Sequence, residues 1–335
     1  MAAPDPSQLA DRLLGGDLTA APAALNLLEN RAERTAADRR TLLAALSPAA
    51  TGRELPGHVV GITGPPGAGK STLLGALITE WRRRGSTVAL LAVDPSSKRS
   101  GGSLLGDRAR LFLDPEDRGT FVRSMASAGQ LGGLAPATRA AAHALAACFD
   151  VVVVETVGVG QSETEIAEVA DSTAVIVQPA SGDALQFLKS GIMEVPDVLV
   201  VTKSDLGRVA MNARRDLLAA LRSIGDRDTE VVLVSSIAPP KGLPDLIDAL
   251  ERHRDRTDLR ARRVAARRSS ALAAFAREYG ERAIRALGGT RRAAHVLDDA
   301  PGDLDVESLV TLLAERAGIE PGGDAAAAHV GDSAA

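Results

Sequence analysis

The sequence predicts an α/β fold with a mostly parallel central sheet and helices on both of its faces. Between His58 and Leu250, short runs of β-branched and apolar residues alternate with stretches of helical periodicity, as in sheets whose parallel strands are joined by helices. A glycine-rich loop separates the first of these strands from the first of these helices. Aromatic residues make up only 2% of the chain, so the core must be built from Ala, Val, Leu and Ile.

Composition and charge narrow the classes of function. A net charge of −4 over 335 residues gives no electrostatic reason to expect nucleic acid as a partner. Cys148 is the single cysteine, which excludes an internal disulfide and a cysteine-based metal cluster. No apolar run reaches the length of a membrane span, and the N-terminus, with Asp5 and Asp11, lacks the basic-then-apolar pattern of a secretory signal. We therefore expect a cytoplasmic protein with no membrane association.

The chain divides into four expected regions. Leucine-rich stretches between Ser7 and Ser47 predict three helices that pack on the main domain, and Pro48 to Gly57 is expected to be a linker. Beyond the main domain, Leu272–Leu287 and Val306–Ala317 predict further helices. The expected boundaries are residues 1–50 for the N-terminal extension, 55–254 for the main domain, 255–320 for a C-terminal helical region and 321–335 for a disordered tail.

The first strand and the loop after it carry the strongest signal. His58–Thr63 predicts a buried strand, and an apolar helical pattern begins at Thr72. The segment between them reads G-x-x-x-x-G-K-S, the phosphate loop, whose backbone N–H groups and helix N-terminus surround a phosphate. In this pattern the lysine reaches the β- and γ-phosphates and the serine holds Mg²⁺. The expected phosphate-binding residues are Gly64, Pro65, Pro66, Gly67, Ala68, Gly69, Lys70, Ser71 and Thr72.

Acidic residues end two of the later strands. Thr87–Val93 predicts a strand that ends in Asp94, and Asp150–Thr156 predicts one that contains Glu155. Both carboxylates then lie at the edge of the sheet where ligands bind, and Glu155 can orient water on Mg²⁺ or position the attacking water. The Gly- and Ser-rich segment Arg99–Arg108 reads as a mobile loop whose Asp107 can approach the metal, because Mg²⁺ takes oxygen ligands.

Two further loops are expected to meet the base of the nucleotide. Thr202-Lys203-Ser204-Asp205 follows the predicted strand Asp197–Val201 and resembles the N/T-K-x-D element that reads guanine. The Asp205 carboxylate can accept hydrogen bonds from guanine N1 and N2, which adenine does not offer, and the Lys203 stem can lie along the base. Ser235, Ser236 and Ile237 follow the predicted strand Glu230–Val234 and are expected to touch the base. These residues favour guanine over adenine.

A run of arginines follows the predicted main domain. Arg252 to Arg268 is dense in arginine, with Asp255 and Asp258 interspersed. A nucleic-acid arm would call for aromatic stacking partners, which are missing from this run. The charge pattern instead favours a solvated helix face, or a face that meets a partner chain.

The chain resembles the MeaB/ArgK/MMAA group of phosphate-loop GTPases. The matching segments are GITGPPGAGKSTL, LAVDPSSKRSGGSLLGDRARL, VVVVETVGVGQSETEIAEVAD and LKSGIMEVPDVLVVTKSD, which cover most of residues 58–205. The resemblance implies a homodimeric, Mg²⁺-dependent GTPase with a C-terminal dimerisation arm. It also implies a chaperone of an adenosylcobalamin-dependent acyl-CoA mutase, typically methylmalonyl-CoA mutase, which gates cofactor loading and protects the mutase. GTP turnover is expected to be slow without the partner.

The resemblance also implies roles for single residues. By position, Gly64 to Thr72 bind the phosphates of GTP or GDP, and Ser71 is a Mg²⁺ ligand. Asp94 and Asp107 lie near the metal in the first switch, and Glu155 is the acidic residue of the second. Pro179 to Lys189 matches a segment that responds to the mutase, and Asp205 reads guanine.

Two departures from the family pattern leave other clients open. Thr202 stands where the family usually has Asn, so the side-chain amide that ties the base loop to the phosphate loop is lost, and Ala184 stands where the family has Glu. The alternatives are a metal-inserting GTPase, a nucleotide-dependent scaffold, and an ATPase or kinase associated with amino-acid transport. The scattered positions of the histidines disfavour metal insertion, and Asp205 disfavours adenine. The histidines are His58, His143, His253, His295 and His329.

Overall fold

A computed structural model describes most of the chain. It covers residues 5–94, 114, 116–126, 134–156, 166–179 and 196–319. Several expectations therefore lie outside the described residues: the Arg99–Arg108 loop with Asp107, the segment from Ala180 to Lys189, and the tail over 321–335.

The described strands form one seven-stranded sheet in the order β3-β2-β4-β1-β5-β6-β7. Every pair of neighbours is parallel, which confirms the predicted fold class. Central strands such as Val151–Thr156 are buried along their whole length, as is typical of a sheet covered on both faces. The strands are β1 His58–Thr63, β2 Val88–Asp94, β3 Thr120–Ala126, β4 Val151–Thr156, β5 Ser172–Val177, β6 Val198–Val201 and β7 Glu230–Leu233.

The helices lie before, between and after the strands. The expected linker Pro48–Gly57 contains one short helix, α4. Numbered over the described residues, the helices are α1 Pro6–Leu14, α2 Ala21–Glu29, α3 Ala36–Ala45, α4 Pro48–Thr51, α5 Lys70–Arg83, α6 Pro136–Leu145, α7 Arg208–Ser223, α8 Leu243–Arg256, α9 Leu259–Ala286, α10 Thr290–Asp298 and α11 Val306–Arg316.

Alternate residues of the central strands enter two different cores. Val59 of β1 packs on the face covered by α6 and the N-terminal helices, whereas Val60 packs on the face covered by α5 and α8. This follows from the two-residue period of side chains along a strand. A smaller core holds α7 against β5, β6 and β7. The sheet edge that carries the loops is therefore fixed from both sides.

The C-terminal helices α9, α10 and α11 surround a separate core that contains Phe275 and Leu313. Helix α9 begins at Leu259, earlier than the predicted Leu272, and it changes direction at Gly280, whose φ of 74° and ψ of 179° are not helical. The Phe275 and Tyr279 rings pack with their centroids 5.1 Å apart. Aromatic residues, although rare in this chain, thus help to hold the C-terminal core together.

The prediction of a solvated or partner-facing arginine face is wrong for three arginines of α9. Arg263 pairs with Asp171 at 2.6 Å, Arg262 with Asp197 at 2.8 Å, and Arg267 with Glu54 at 2.7 Å. Each of these acids lies just before a strand, at the edge of the sheet opposite the loops. A charge pattern along one helix cannot reveal that its partners lie elsewhere in the same chain.

Candidate functional site

The candidate site lies at the carboxyl ends of β1, β4, β5 and β6. Strand β1 pairs with β4 on one side and β5 on the other. The chain runs from β1 to β2 on the β4 side and from β5 to β6 on the opposite side, so the strand order reverses between β1 and β5. Ligands of open α/β sheets bind at such a reversal of strand order. The phosphate loop leaves β1 at this point and leads into α5, which starts at Lys70. The structure therefore places the predicted loop between a strand and a helix.

Glycine is required in this loop by contact and by backbone conformation. A Cβ on Gly64 would lie 2.5 Å from the backbone oxygen of Ile176 in β5, closer than real Cβ contacts. Gly67 and Gly69 have φ values of 76° and 89°, which residues other than glycine rarely adopt. The loop thus packs directly on β5 and turns its backbone back toward α5.

Lys70 lies at the centre of the loop and is buried. Its Nζ donates to the backbone oxygen of Gly64 at 2.7 Å and to that of Pro65 at 3.0 Å. The ammonium group is thereby held inside the curve of the loop, beside the N-terminus of α5. Positive charge and helix dipole act in the same direction there and favour a bound anion.

Ser71 and Glu155 provide two oxygen donors next to the loop. The Ser71 hydroxyl donates to Glu155 Oε1 at 3.4 Å, and Glu155 is buried near the end of β4. Both are hard oxygen ligands of the kind that Mg²⁺ prefers, so the pair fits a magnesium site. Among the described residues no cluster of three or more His, Cys, Asp or Glu can hold a metal.

Of the two other residues predicted to lie near the metal, the structure describes only the backbone of Asp94. Asp94 is the last residue of β2, a strand that pairs with β4, so its backbone lies at the same edge of the sheet as Glu155. The side chain of Asp94 and all of Asp107 lie outside the described residues. Two hydroxyls that sequence reasoning missed, those of Thr63 and Thr156, meet at 3.1 Å between β1 and β4.

The predicted loss of the tie between the base loop and the phosphate loop is wrong. Thr202 is buried, and its hydroxyl donates to the backbone oxygen of Ala68 at 2.9 Å. Its backbone N–H donates to the oxygen of Val177 at 3.1 Å, which fixes the start of the base loop on β5. A hydroxyl suffices because the two loops approach closely enough for the short threonine side chain to reach the Ala68 oxygen. The sequence did indicate this contact, because the N/T-K-x-D element accepts threonine at the position of Thr202.

The two loops predicted to meet the base lie side by side. The Ser235 hydroxyl donates to Asp205 Oδ1 at 2.8 Å, and the Ser204 N–H donates to the oxygen of Val234 at 2.9 Å. Asp205 remains exposed, as does Ile237, whereas Ser236 is half-buried. The position of Ser235 predicted contact with the base, and the structure shows that it also orients the carboxylate beside it.

Lys203 has a strained backbone. It is the only described non-glycine residue with positive φ, at 53° with ψ of 42°. A left-handed conformation costs an ordinary residue about 1 kcal/mol, and such strain persists where the surroundings impose it. Here the neighbours Thr202 and Ser204 are both hydrogen-bonded to other strands or loops, which holds Lys203 in this conformation between them.

Comparison with known proteins places these features in a wider group. Residues 21–286 match the family model described as "Methylmalonyl Co-A mutase-associated GTPase MeaB". A "Putative GTPase" of Pyrococcus abyssi is 41% identical over 255 residues, 74% of this chain and 76% of the relative. "GTPase ArgK" of Escherichia coli is 38% identical over 248 residues, 71% of this chain and 73% of the relative.

A solved structure extends the likeness to the fold. The "Crystal structure of LAO/AO transport system kinase" is 26% identical, with a TM-score of 0.64, and the match covers 94% of this chain and 98% of that one.

Proposed function

Because the chain belongs to the family of methylmalonyl-CoA mutase-associated GTPases, we propose that it binds GTP and hydrolyses it to GDP and phosphate with the help of Mg²⁺. One observation carries this proposal: Thr202 joins a phosphate loop and a guanine-type base loop through a single buried hydrogen bond to Ala68. A nucleotide that spans both loops would then contact one rigid unit.

The phosphate loop would bind the triphosphate. In the proposed complex, Lys70 leaves the oxygens of Gly64 and Pro65 and donates to phosphate oxygens instead. The charge-assisted bonds formed in this exchange are stronger than those between lysine and a carbonyl. The N–H groups from Gly67 to Thr72 would surround the β-phosphate, aided by the dipole of α5.

The metal would lie between Ser71 and Glu155. Their oxygens, 3.4 Å apart, fit a hard cation, and we propose Asp94 and Asp107 as further residues near it. When bound, Mg²⁺ neutralises charge on the phosphates. Glu155, which is fixed on a buried strand, would hold water at the γ-phosphate side of the site.

Guanine specificity would come from Asp205. Ser235 donates to one of its oxygens and thereby orients the carboxylate, which retains enough lone pairs to accept from guanine N1 and N2. Adenine lacks this pair of donors, so it would leave the carboxylate unsatisfied. The stem of Lys203 would lie along one face of the base, while Ser236 and Ile237 would flank it.

We further propose that the chain is the chaperone of an adenosylcobalamin-dependent acyl-CoA mutase and acts as a homodimer through its C-terminal helices. The name of the matching family supports the mutase as client. Slow turnover without the client is consistent with a phosphate loop that contains no arginine, since an arginine finger from a partner can accelerate such sites. Co-purification of a mutase subunit with the tagged chain would support this assignment, and its consistent absence from cells that express the mutase would contradict it.

Nucleotide binding by the purified protein tests the core of the proposal. We expect GDP and GTP to bind in the presence of Mg²⁺ and ATP to compete at least 100-fold less well. Lys70→Ala should abolish hydrolysis, since the ammonium contacts the phosphates directly. Arg83→Ala removes an exposed charge from the same helix and should leave hydrolysis unchanged. Full turnover by Lys70→Ala would refute the proposed role of the loop.

A further inference from the structure

A cavity of about 200 Å³ lies far from the nucleotide loops, where the N-terminal helices, α6 and α9 meet near the start of β1. Its walls are mainly apolar and include Leu43, Leu55, Val59, Ala140 and Val169. Close-packed interiors contain few voids of this size. Since Leu55 and Val59 belong to the buried core, the cavity reaches into the fold, and its other side is open to solvent.

Three of the arginines that line the first cavity are already paired with acids, whereas Arg277, Asp305 and Glu307 line it as well and form no ion pair with a described residue. Arg263 binds Asp171, Arg267 binds Glu54, and Arg139 binds Glu168 at 3.2 Å. The Nε–H of Arg267 is buried and has no hydrogen-bond acceptor among the described residues. Away from Arg277, Asp305 and Glu307, the first cavity therefore offers an apolar volume with one unused donor, and it does not itself call for a charged ligand.

A second cavity of about 290 Å³ adjoins the first and has the opposite character. Pro136, Arg277 and Glu307 line both cavities, so the two meet at these residues. Arg31 and Arg39 complete the charged lining of the second cavity, which thus has three arginines and one acid.

The arginines of the second cavity are not neutralised by the described part of the chain. Arg31 and Arg277 are exposed and form no ion pair with a described residue. Arg39 donates to the backbone oxygens of Asn30 and Ala32 and to the Thr35 hydroxyl. Because these acceptors are uncharged, they do not compensate the positive charge of its guanidinium group. This local excess of positive charge contrasts with the net charge of −4 on the whole chain.

We propose that the two cavities together bind a small amphipathic anion, with an apolar tail in the first cavity and a carboxylate or phosphate head on Arg31, Arg39 and Arg277 in the second. A cavity of 150 Å³ holds benzene, so the first cavity accommodates a tail of about eight carbon atoms. Arginine suits the head group because its fork donates two parallel hydrogen bonds to either anion. The site is separate from the nucleotide loops and does not depend on the proposed GTPase activity.

Calorimetric titration of the full-length protein with octanoate, octyl phosphate and 1-octanol tests the site. We expect saturable one-to-one binding of at least one of the two anions, and at least tenfold weaker binding of octanol, which lacks the charged head. The tighter of the two anions identifies the head group. Absence of saturable binding of either anion to protein that unfolds cooperatively on heating would overturn the proposal.

Two variants test the two halves of the site independently. Arg31→Gln/Arg277→Gln should weaken binding of the anions at least tenfold and leave octanol unaffected. Ala140→Leu, which fills the first cavity, should weaken all three ligands at least tenfold. The matched controls Arg291→Gln and Ala219→Leu alter exposed residues outside both cavities and should stay within twofold of wild type. The thermal unfolding transition, followed by circular dichroism, reports folding of every variant, and anion binding that survives either test variant unaltered would overturn the proposal.

Discussion

Thr202 shows how a single hydroxyl connects two parts of the site. Its Oγ1 lies 2.9 Å from the oxygen of Ala68 in the phosphate loop and 3.4 Å from that of Val177 at the end of β5. All three groups are at the sheet edge where strand order reverses. A buried hydrogen bond of this kind contributes about 1 kcal/mol, and here it also fixes the distance between the phosphate loop and the base loop.

We predict that Thr202→Val, which keeps the shape and removes the hydroxyl, lowers GDP affinity by about tenfold. Thr202→Ser retains the donor and should bind GDP nearly as tightly as wild type. The dissociation constant of a fluorescent GDP analogue measures the effect. Thr79→Val removes a hydroxyl–carbonyl bond within α5 instead and serves as control. Unchanged affinity in Thr202→Val would mean that the tie does not position the nucleotide.

Asp205→Ala should relax the choice of base. The substitution removes the acceptor of the two guanine donors, so GTP affinity should fall by about 100-fold while ATP affinity changes little. Competition of GTP against ATP and xanthosine triphosphate measures the ratio. Asp216→Ala, an exposed acid on α7, is the matched control. Retained preference for GTP in Asp205→Ala would place base recognition elsewhere.

At the scale of elements, ion pairs of its arginines hold α9 against the sheet. Asp171 precedes β5 and is almost fully buried. Burial alone would raise the pKa of Asp171, but hydrogen bonds from Arg263 and from the Val59 N–H, together with the Arg263 charge, hold it below its usual value. Arg263 also donates to the backbone oxygens of Leu55 and Gly57. One side chain thus joins α9, β1 and β5.

Breaking this contact should be costly. Arg263→Met leaves Asp171 buried without its counter-charge, which typically lowers the free energy of unfolding by about 3–5 kcal/mol. Arg260→Met replaces an exposed arginine of the same helix and should change stability by less than about 0.5 kcal/mol. Urea denaturation at pH 7 measures both. Equal stability of the two variants would show that the pair contributes nothing net.

The elements differ in how far the sequence could predict them. Strand β1, the phosphate loop and the start of α5 have a local signature, because the loop needs glycine at fixed positions and the strand needs β-branched residues. For the first turns of α9 the sequence predicted a helix face but not its packing on the sheet, since the arginines indicate solvent unless Asp171, Asp197 and Glu54 are known to lie opposite. The Thr202 tie was missed for the same reason: it depends on a distance between two loops that are 134 residues apart in the chain.

At the scale of the whole molecule, two histidines, His58, which is buried, and His143, which is half-buried, couple folding to pH. His58 lies in β1 with its Nε2 2.9 Å from the Ser172 hydroxyl. Burial, together with the positive charges of Arg254 and Arg263, lowers its pKa to about 4. Burial, together with Arg267 and Arg263, lowers the pKa of His143 to about 4 as well. Both side chains are therefore neutral in the folded protein at pH 6.

We predict that the protein loses stability as the pH falls from about 6.5 toward 4, because the unfolded chain binds protons at these histidines before the folded chain does. Each histidine contributes a slope of about 1.4 kcal/mol per pH unit within that window. Urea denaturation between pH 5 and 7.5 measures the slope. His58→Gln should reduce it by about half, whereas His295→Gln, at an exposed position, should not. A flat profile in the wild type would contradict the prediction.

A crystal structure of the protein with GDP and Mg²⁺ is the most direct measurement of where the nucleotide binds. We expect the β-phosphate among the backbone N–H groups around Lys70, the metal next to Ser71, and guanine N1 and N2 within hydrogen-bond distance of Asp205. A nucleotide bound at another place, with Lys70 still on the oxygens of Gly64 and Pro65, would contradict the proposed site.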